Sequence, residues 1–219
     1  MFLEFKTIEN EKFEKEFKQM MDELNNFYDI NWVHHLPKIY FLDSRAQIDY
    51  IWGEKTLPYI VGWARNHDTI FVLKNEKMVT ESAHKQHSDG QYYSLIKHEL
   101  SHCFFTIESK YTENSFPKWL WEGVAIYTSG QLVFKDKIVE FKEFLDHYDN
   151  GFAPAIYKEA GFAVEILVNK FGKKKLLSLI KNLKNLSTKE LFDRAFEKEY
   201  GFKPSHEQFN LLLKSVLEK

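Results

Sequence analysis

Hydrophobic positions recur along this chain with two periods, and the switches between them outline its elements. From about Ile8 to Tyr28, Phe13, Phe17, Met20, Met21, Leu24 and Phe27 appear at helical spacing among Glu and Lys, predicting an amphipathic helix. Lys38 to Leu42 is a short β-type run, after which Ser44 is placed to cap a short helix reaching Trp52. Two more runs, Tyr59 to Ala64 and Thr69 to Leu73, flank the turn-like Arg65-Asn66-His67-Asp68 and predict a hairpin. Lys77 to His87 is polar and reads as loop or weak helix. Then Leu95, Ile96, Leu100, Phe104 and Phe105 mark a mostly buried helix, with Ser88 and Gln91 spaced as a capping box and Gly90 in the first turn.

A polar connection from Glu108 to Asn114 precedes a second helix, starting over Ser115 to Pro117 and lined by Trp119, Leu120, Val124 and Ala125. Beyond Gly130, Leu132-Val133-Phe134 reads as a short strand and Ile138 to Tyr148 as a helix broken at Asp149-Asn150-Gly151. The remainder reads as helices over about Ile156 to Phe171, Lys173 to Leu183, Lys189 to Tyr200 and Ser205 to Leu217. The expectation is an α+β chain forming one domain over residues 1–219. Residues 1–108 supply helices and a small mixed sheet, and residues 109–219 form an all-helical lobe.

Composition narrows the function classes. With 30 Lys and Arg against 32 Asp and Glu, well mixed, the net charge of −2 argues against nucleic acid or an anionic membrane as the main partner. The 20 Phe, 11 Tyr and 5 Trp argue against disorder. A single cysteine, Cys103, excludes an internal disulfide and favours a reducing compartment. The N-terminus has no basic start followed by an apolar run, and no stretch is apolar for long enough to span a bilayer, so a cytoplasmic protein is expected.

The candidate chemistry lies in His98-Glu99-Leu100-Ser101-His102. Side chains four apart share a helical face, so the two imidazoles can converge on one ion. Glu99 borders the same spot and reaches a water held by the metal without ligating it. Nineteen residues separate His102 from Glu122, in Trp119-Leu120-Trp121-Glu122-Gly123-Val124-Ala125. An acid among so many apolar residues is costly to bury unless a cation meets it. Two imidazoles and a carboxylate are a donor set that suits Zn2+. His34 and His35 are adjacent and point apart, and His84 and His87 lack an acidic or cysteine partner, so both pairs read as solvated. Stripes such as Phe162, Ile166, Leu167 and Leu176, Leu177, Ile180, Leu183 read as core, and Lys173 to Lys175 as a solvated turn.

The pair HELSH and WLWEGVA resembles the gluzincin metallopeptidases, in which two histidines and a glutamate hold zinc, and the likeness is specific from about Tyr92 to Gly130. The resemblance implies a zincin-like fold with the active-site cleft between its lobes. It also implies that His98, His102 and Glu122 ligate zinc and that Glu99 is the general base. Tyr157, in Tyr157-Lys158-Glu159-Ala160-Gly161, resembles the tyrosine whose hydroxyl stabilises the oxyanion in related enzymes, and Tyr127 is its rival. Gly62-Trp63-Ala64-Arg65-Asn66 resembles the G-x-M-E-N segment of gluzincin aminopeptidases, with Arg65 where their amine-binding glutamate stands. A cation there repels a free α-amino group, which argues against that subtype. Some relatives orient a histidine with a carboxylate four residues after the glutamate ligand, and here Ile126 occupies that position.

The expected activity is zinc-dependent hydrolysis of peptide bonds in a peptide or protein substrate. Two alternatives stay open: a zinc-dependent regulatory or processing protease for one protein partner, and a non-catalytic helical interaction protein. The oligomeric state is not readable from the chain.

Overall fold

The computed structural model describes residue 7 and residues 9–84, 88–110, 117–146, 148 and 153–217. His87, the end of the 108–114 connection, Ser115 and the Asp149-Asn150-Gly151 break lie outside the described residues. The chain is mostly helical with a small three-stranded mixed sheet, and it divides into two compact units, Met1–Cys103 and Phe104–Lys219.

In the first unit, helix α1 (Glu11–Tyr28) begins at Asn10, whose Oδ1 accepts the Phe13 amide at 3.0 Å, and it buries Met20, Met21, Leu24 and Tyr28. Its start lies later than the apolar pattern suggested, because Asn10 offers the cap. Strands β1 (Lys38–Leu42), β2 (Gly62–Arg65) and β3 (Thr69–Leu73) make a sheet of order β1-β3-β2. β1 runs parallel to β3 with Tyr40 opposite Phe71, and β2 runs antiparallel with Trp63 opposite Phe71. The expected hairpin is therefore β2 and β3, turning through Asn66 at φ +59°. Ile70 and Val72 face inward and are fully buried, while Tyr40, Phe71 and Trp63 stack in a row on the other face at 5.2 and 5.0 Å. β2 is an edge strand, and only one of its two hydrogen-bonding sides meets β3.

Helix α2 (Arg45–Trp52) follows Ser44, but the Ser44 side chain makes no cap bond. Instead the Asp43 amide donates to Gln47 Oε1 at 2.7 Å and the Arg45 amide to Glu81 Oε2 at 2.8 Å. The Arg45 guanidinium grips the segment that leads into β2. It donates to the carbonyls of Pro58 at 2.9 Å, Ile60 at 2.5 Å and Glu81 at 3.1 Å, and to Thr56 Oγ1 at 3.1 Å. Thr56 is held from its other side by Asp49, whose Oδ1 accepts the Thr56 amide and hydroxyl at 2.9 and 2.7 Å. The polar stretch after β3 contains a 3₁₀ turn (Asn75–Lys77) and the one-turn helix α3 (Met78–Glu81).

Helix α4 (Asp89–Ser109) opens with the expected capping box. The Ser88 amide donates to Gln91 Oε1 at 2.9 Å and the Gln91 amide to Ser88 Oγ at 3.2 Å. Tyr92 donates its hydroxyl to the Leu73 carbonyl at 3.1 Å, and Tyr28 from α1 shares a 2.9 Å bond with Ser101 Oγ. Lys97 pairs with Glu23 of α1.

The second unit carries α5 (Lys118–Thr128), α6 (Pro154–Phe171), α7 (Lys173–Asn182), α8 (Lys189–Tyr200) and α9 (His206–Leu217). α5 and α6 approach closely because two glycines remove side chains at their crossing. A Cβ on Gly123 would stand 2.6 Å from the Ala160 carbonyl oxygen, and one on Gly161 would overlap Ile126. Trp119 centres the aromatic core, edge-on to Phe144 at 5.3 Å and Phe209 at 5.9 Å. Among the described residues no helix is long and apolar enough to cross a membrane.

Two elements depart from the apolar pattern. Leu132-Val133-Phe134 forms a 3₁₀ turn (Gln131–Phe134) after Gly130 at φ +75°, with no partner strand among the described residues. The expected helix from Ile138 is irregular up to a 3₁₀ turn (Phe144–Asp146). Ile138, Phe141, Phe144 and Tyr148 are indeed buried at helix-like intervals. Four successive amides of the segment, however, are claimed by side chains: Glu159 Oε2 accepts those of Lys142, Glu143 and Phe144 at 3.0, 3.1 and 3.2 Å, and Asn210 Oδ1 accepts that of Phe141 at 2.7 Å. A carboxylate that takes three successive amides removes the need for a helical ladder there.

Candidate metal centre

Helix α4 turns a polar corner out of an apolar surround. Ile96, Leu100, Cys103 and Phe104 are fully buried, while His98, Glu99 and His102 are 6, 5 and 3 % exposed. Being one turn apart, the two imidazoles lie side by side, their Nε2 atoms 3.0 Å from each other and their planes at 87°. Glu99 points toward the sheet: a Cβ on Gly62 of β2 would stand 3.6 Å from its Cγ and Oε1. The absence of a side chain at Gly62 lets the edge strand run close to this carboxylate.

Glu122 on α5 is 6 % exposed and Gly123 follows it, so the turn that carries it is the one pressed onto α6. One result is a 2.8 Å hydrogen bond in which Tyr157 of α6 donates its hydroxyl to Glu122 Oε1. Of the two tyrosines left open by the sequence, Tyr157 is thus the one at Glu122. Tyr127 is half-buried, its hydroxyl pKa raised by burial and then by the Glu165 carboxylate. Ile126 is fully buried and packs against Gly161, so the position that holds a carboxylate in some gluzincins is core here.

Among the described residues, His98, His102 and Glu122 form a group able to hold a metal ion, each offering one ligand atom within 4.8 Å of the others. The fit is chemical as well as spatial. Two ligands at about 2.0–2.1 Å from a tetrahedral ion stand roughly 3.3 Å apart, close to the separation of the two Nε2 atoms. A buried carboxylate and two imidazoles leave one position of a four-coordinate ion open.

Side chains around the group limit other chemistry. Burial, and next the Glu99 carboxylate, pushes the Cys103 thiol well above its usual range, so the residue after His102 stays protonated and unreactive. His34 and His35 are exposed in the connection between α1 and β1, and Arg65 is exposed at the end of β2. Lys118 and Lys135, which drew no notice in the sequence, are half-buried near Glu122. Lys118, one turn before Glu122, was findable from its spacing, whereas Gly62 and Lys135 come from distant stretches and left no local signal. Comparison with known protein families, with curated proteins and with solved structures gives no match in any of the three.

Proposed function

We propose that the chain is a zinc-dependent peptidase of the gluzincin type, with a zincin-like arrangement of helices and sheet. The observation that carries this reading is the buried group His98, His102 and Glu122, with Glu99 beside it on the same helix. His98, His102 and Glu122 would hold zinc, which supplies Lewis acidity toward a peptide carbonyl and brings the pKa of water to about 7. Glu99 takes a proton from the attacking water and delivers it to the leaving nitrogen. The Tyr157 hydroxyl, released from Glu122, donates to the oxyanion. The side of β2 that faces away from β3 meets no other strand among the described residues and offers main-chain donors and acceptors to an extended peptide, with Gly62 bringing that strand next to Glu99. One cysteine, and that one buried, accords with a cytoplasmic protein, and the balanced charge with a peptide or protein partner rather than nucleic acid.

Metal analysis of the purified chain, with and without chelator and added zinc, tests the reading together with hydrolysis of casein and a peptide library. The expected result is one zinc per chain and chelator-sensitive hydrolysis that Glu99→Gln abolishes while zinc stays bound. Zinc with turnover of a single cellular protein only would select the processing-protease reading. A second reading rests on the 3.0 Å contact of the two Nε2 atoms, which is also the length of a plain His–His hydrogen bond in a non-catalytic helical protein. Absence of bound zinc and of any uptake would select it.

A further inference from the structure

The edge strand β2 has two faces that differ sharply in chemistry. The Leu73 amide donates to the Val61 carbonyl at 2.7 Å, and further along the pair Trp63 stands opposite Phe71 and Arg65 opposite Thr69. With the ladder's period of two, Trp63 and Arg65 turn their main-chain groups toward β3, whereas Gly62 and Ala64 turn theirs to the outer side. Side chains alternate between the faces in the same rhythm. Gly62 lies on the face beside Glu99, so Trp63 and Arg65 lie on the opposite one.

On that opposite face Trp63 ends a row of rings standing on the sheet. Its plane is 20° from that of Phe71, whose plane is 21° from that of Tyr40, so the three stack across the strands. All three are half-buried. β2 is the last strand of the sheet among the described residues, and the row stops with it. Trp52, 46 % exposed, stands edge-on to Trp63 with ring centres 5.7 Å apart and adds a second apolar wall. Arg65 is exposed, two residues further along the same face. Large rings on adjacent strands stabilise a sheet as cross-strand pairs, and on an edge strand such a ring is prepared for one strand more.

A peptide strand added antiparallel to β2 bonds its main chain to Gly62 and Ala64 and sets one residue directly opposite Trp63. That pair is of the non-hydrogen-bonded kind, in which side chains come closest. The next peptide side chain on this face stands opposite Arg65. We infer that Trp63 and Arg65 determine which peptides are cut, Trp63 favouring a large apolar or aromatic side chain and Arg65 an acidic one two residues from it. This rests on the peptidase reading and extends it to substrate class. The peptide residue beside Gly62 adjoins Glu99, so its neighbour beside Trp63 lies close to the bond that is cut.

The test is the positional profile of cleavage by the zinc-loaded chain on a randomised library of short peptides blocked at both ends, with the products sequenced. Expected is a preference of about threefold for Phe, Tyr, Trp or Leu over Ala at one fixed position, and of similar size for Glu over Gln two residues away, each the size of one cross-strand pair. An acid before the apolar residue reads an antiparallel peptide, and an acid after it a parallel one. Trp63→Thr should flatten the apolar preference and keep the acidic one. Arg65→Glu should exchange the acidic preference for a basic one and keep the apolar one, a reversal that no loss of folding produces. A wild-type profile lacking either preference overturns the inference, whether or not Trp63→Thr folds. So does an acidic preference that survives Arg65→Glu. Both results leave cleavage, and with it the peptidase reading, in place. Cleavage of no peptide, with no zinc taken up, brings down that reading and this inference together.

Discussion

The hydroxyl of Tyr157 donates to Glu122 Oε1 across 2.8 Å, joining a residue of α6 to one of α5 at the point where glycines let the two helices touch. In this state the proton of Tyr157 is committed to the proposed zinc ligand. Acting on an oxyanion requires the hydroxyl to turn away from Glu122. Tyr157→Phe should lower kcat by about 10²-fold while zinc content and KM change little. Weakened zinc affinity with kcat preserved in the loaded protein would make Tyr157 a positioning residue for Glu122 instead.

Gly123→Ala places a methyl 2.6 Å from the Ala160 carbonyl oxygen and 2.9 Å from Val164 Cγ2, in backbone that cannot yield cheaply. The expected cost is roughly 2–3 kcal/mol in urea unfolding, with zinc affinity falling as well because Glu122 sits on the displaced turn. Unaltered zinc affinity in a destabilised variant would show that the helix crossing does not set the ligand.

Tyr28 is fully buried and its hydroxyl meets both the Oγ of Ser101, at 2.9 Å, and the Ser101 carbonyl, at 3.2 Å. Ser101 directly precedes His102, so this contact fixes α4 next to the candidate ligands. Tyr28→Phe should cost about 1 kcal/mol, measured from the denaturation midpoint, since it removes the buried bonds from this hydroxyl to Ser101.

Glu159→Ala withdraws the acceptor from the three amides of Lys142, Glu143 and Phe144. A loss of roughly 2–3 kcal/mol is expected, with Glu159→Gln losing less because it retains an oxygen. Amide exchange should accelerate at those three positions in particular. If exchange there matches the wild type, the carboxylate does not organise the segment.

The Asp49 carboxyl is held below the usual carboxylate range by the Thr56 hydroxyl first and the Thr56 amide second. A folded pKa below the unfolded one gives a stabilising contribution that is present above the ordinary carboxylate pKa and lost as pH falls through the folded value. Asp49→Asn should therefore lower the urea midpoint at neutral pH, and its gap from the wild type should close below about pH 4. A gap that is constant from neutral to acid pH would contradict this.

What the sequence disclosed, and what it hid, follows the range of the interactions. The spacing of His98 and His102 and the cap formed by Ser88 and Gln91 are one-turn relationships, legible wherever a helix is recognised. The β2–β3 hairpin was legible from its turn for the same reason. Glu122 stood out as an acid among apolar neighbours, and the structure buries it. Ile138 to Tyr148 misled because buried residues in an irregular segment happened to repeat at three and four. The groups that decided its course, Glu159 and Asn210, lie far along the chain. The nearness of Gly62 to Glu99 was hidden likewise, since it depends on how α4 lies on the sheet.

Arg45 holds the loop before β2 mainly through peptide carbonyls, those of Leu57, Pro58 and Ile60. A grip on main chain is indifferent to which side chains the loop displays. Leu57, 52 % exposed, is thereby open to replacement without disturbing the delivery of Gly62 to Glu99, whereas Thr56, held through its hydroxyl by Arg45 and Asp49, is not. Evolution, or an engineer, has a surface there that can be rewritten around a constant frame.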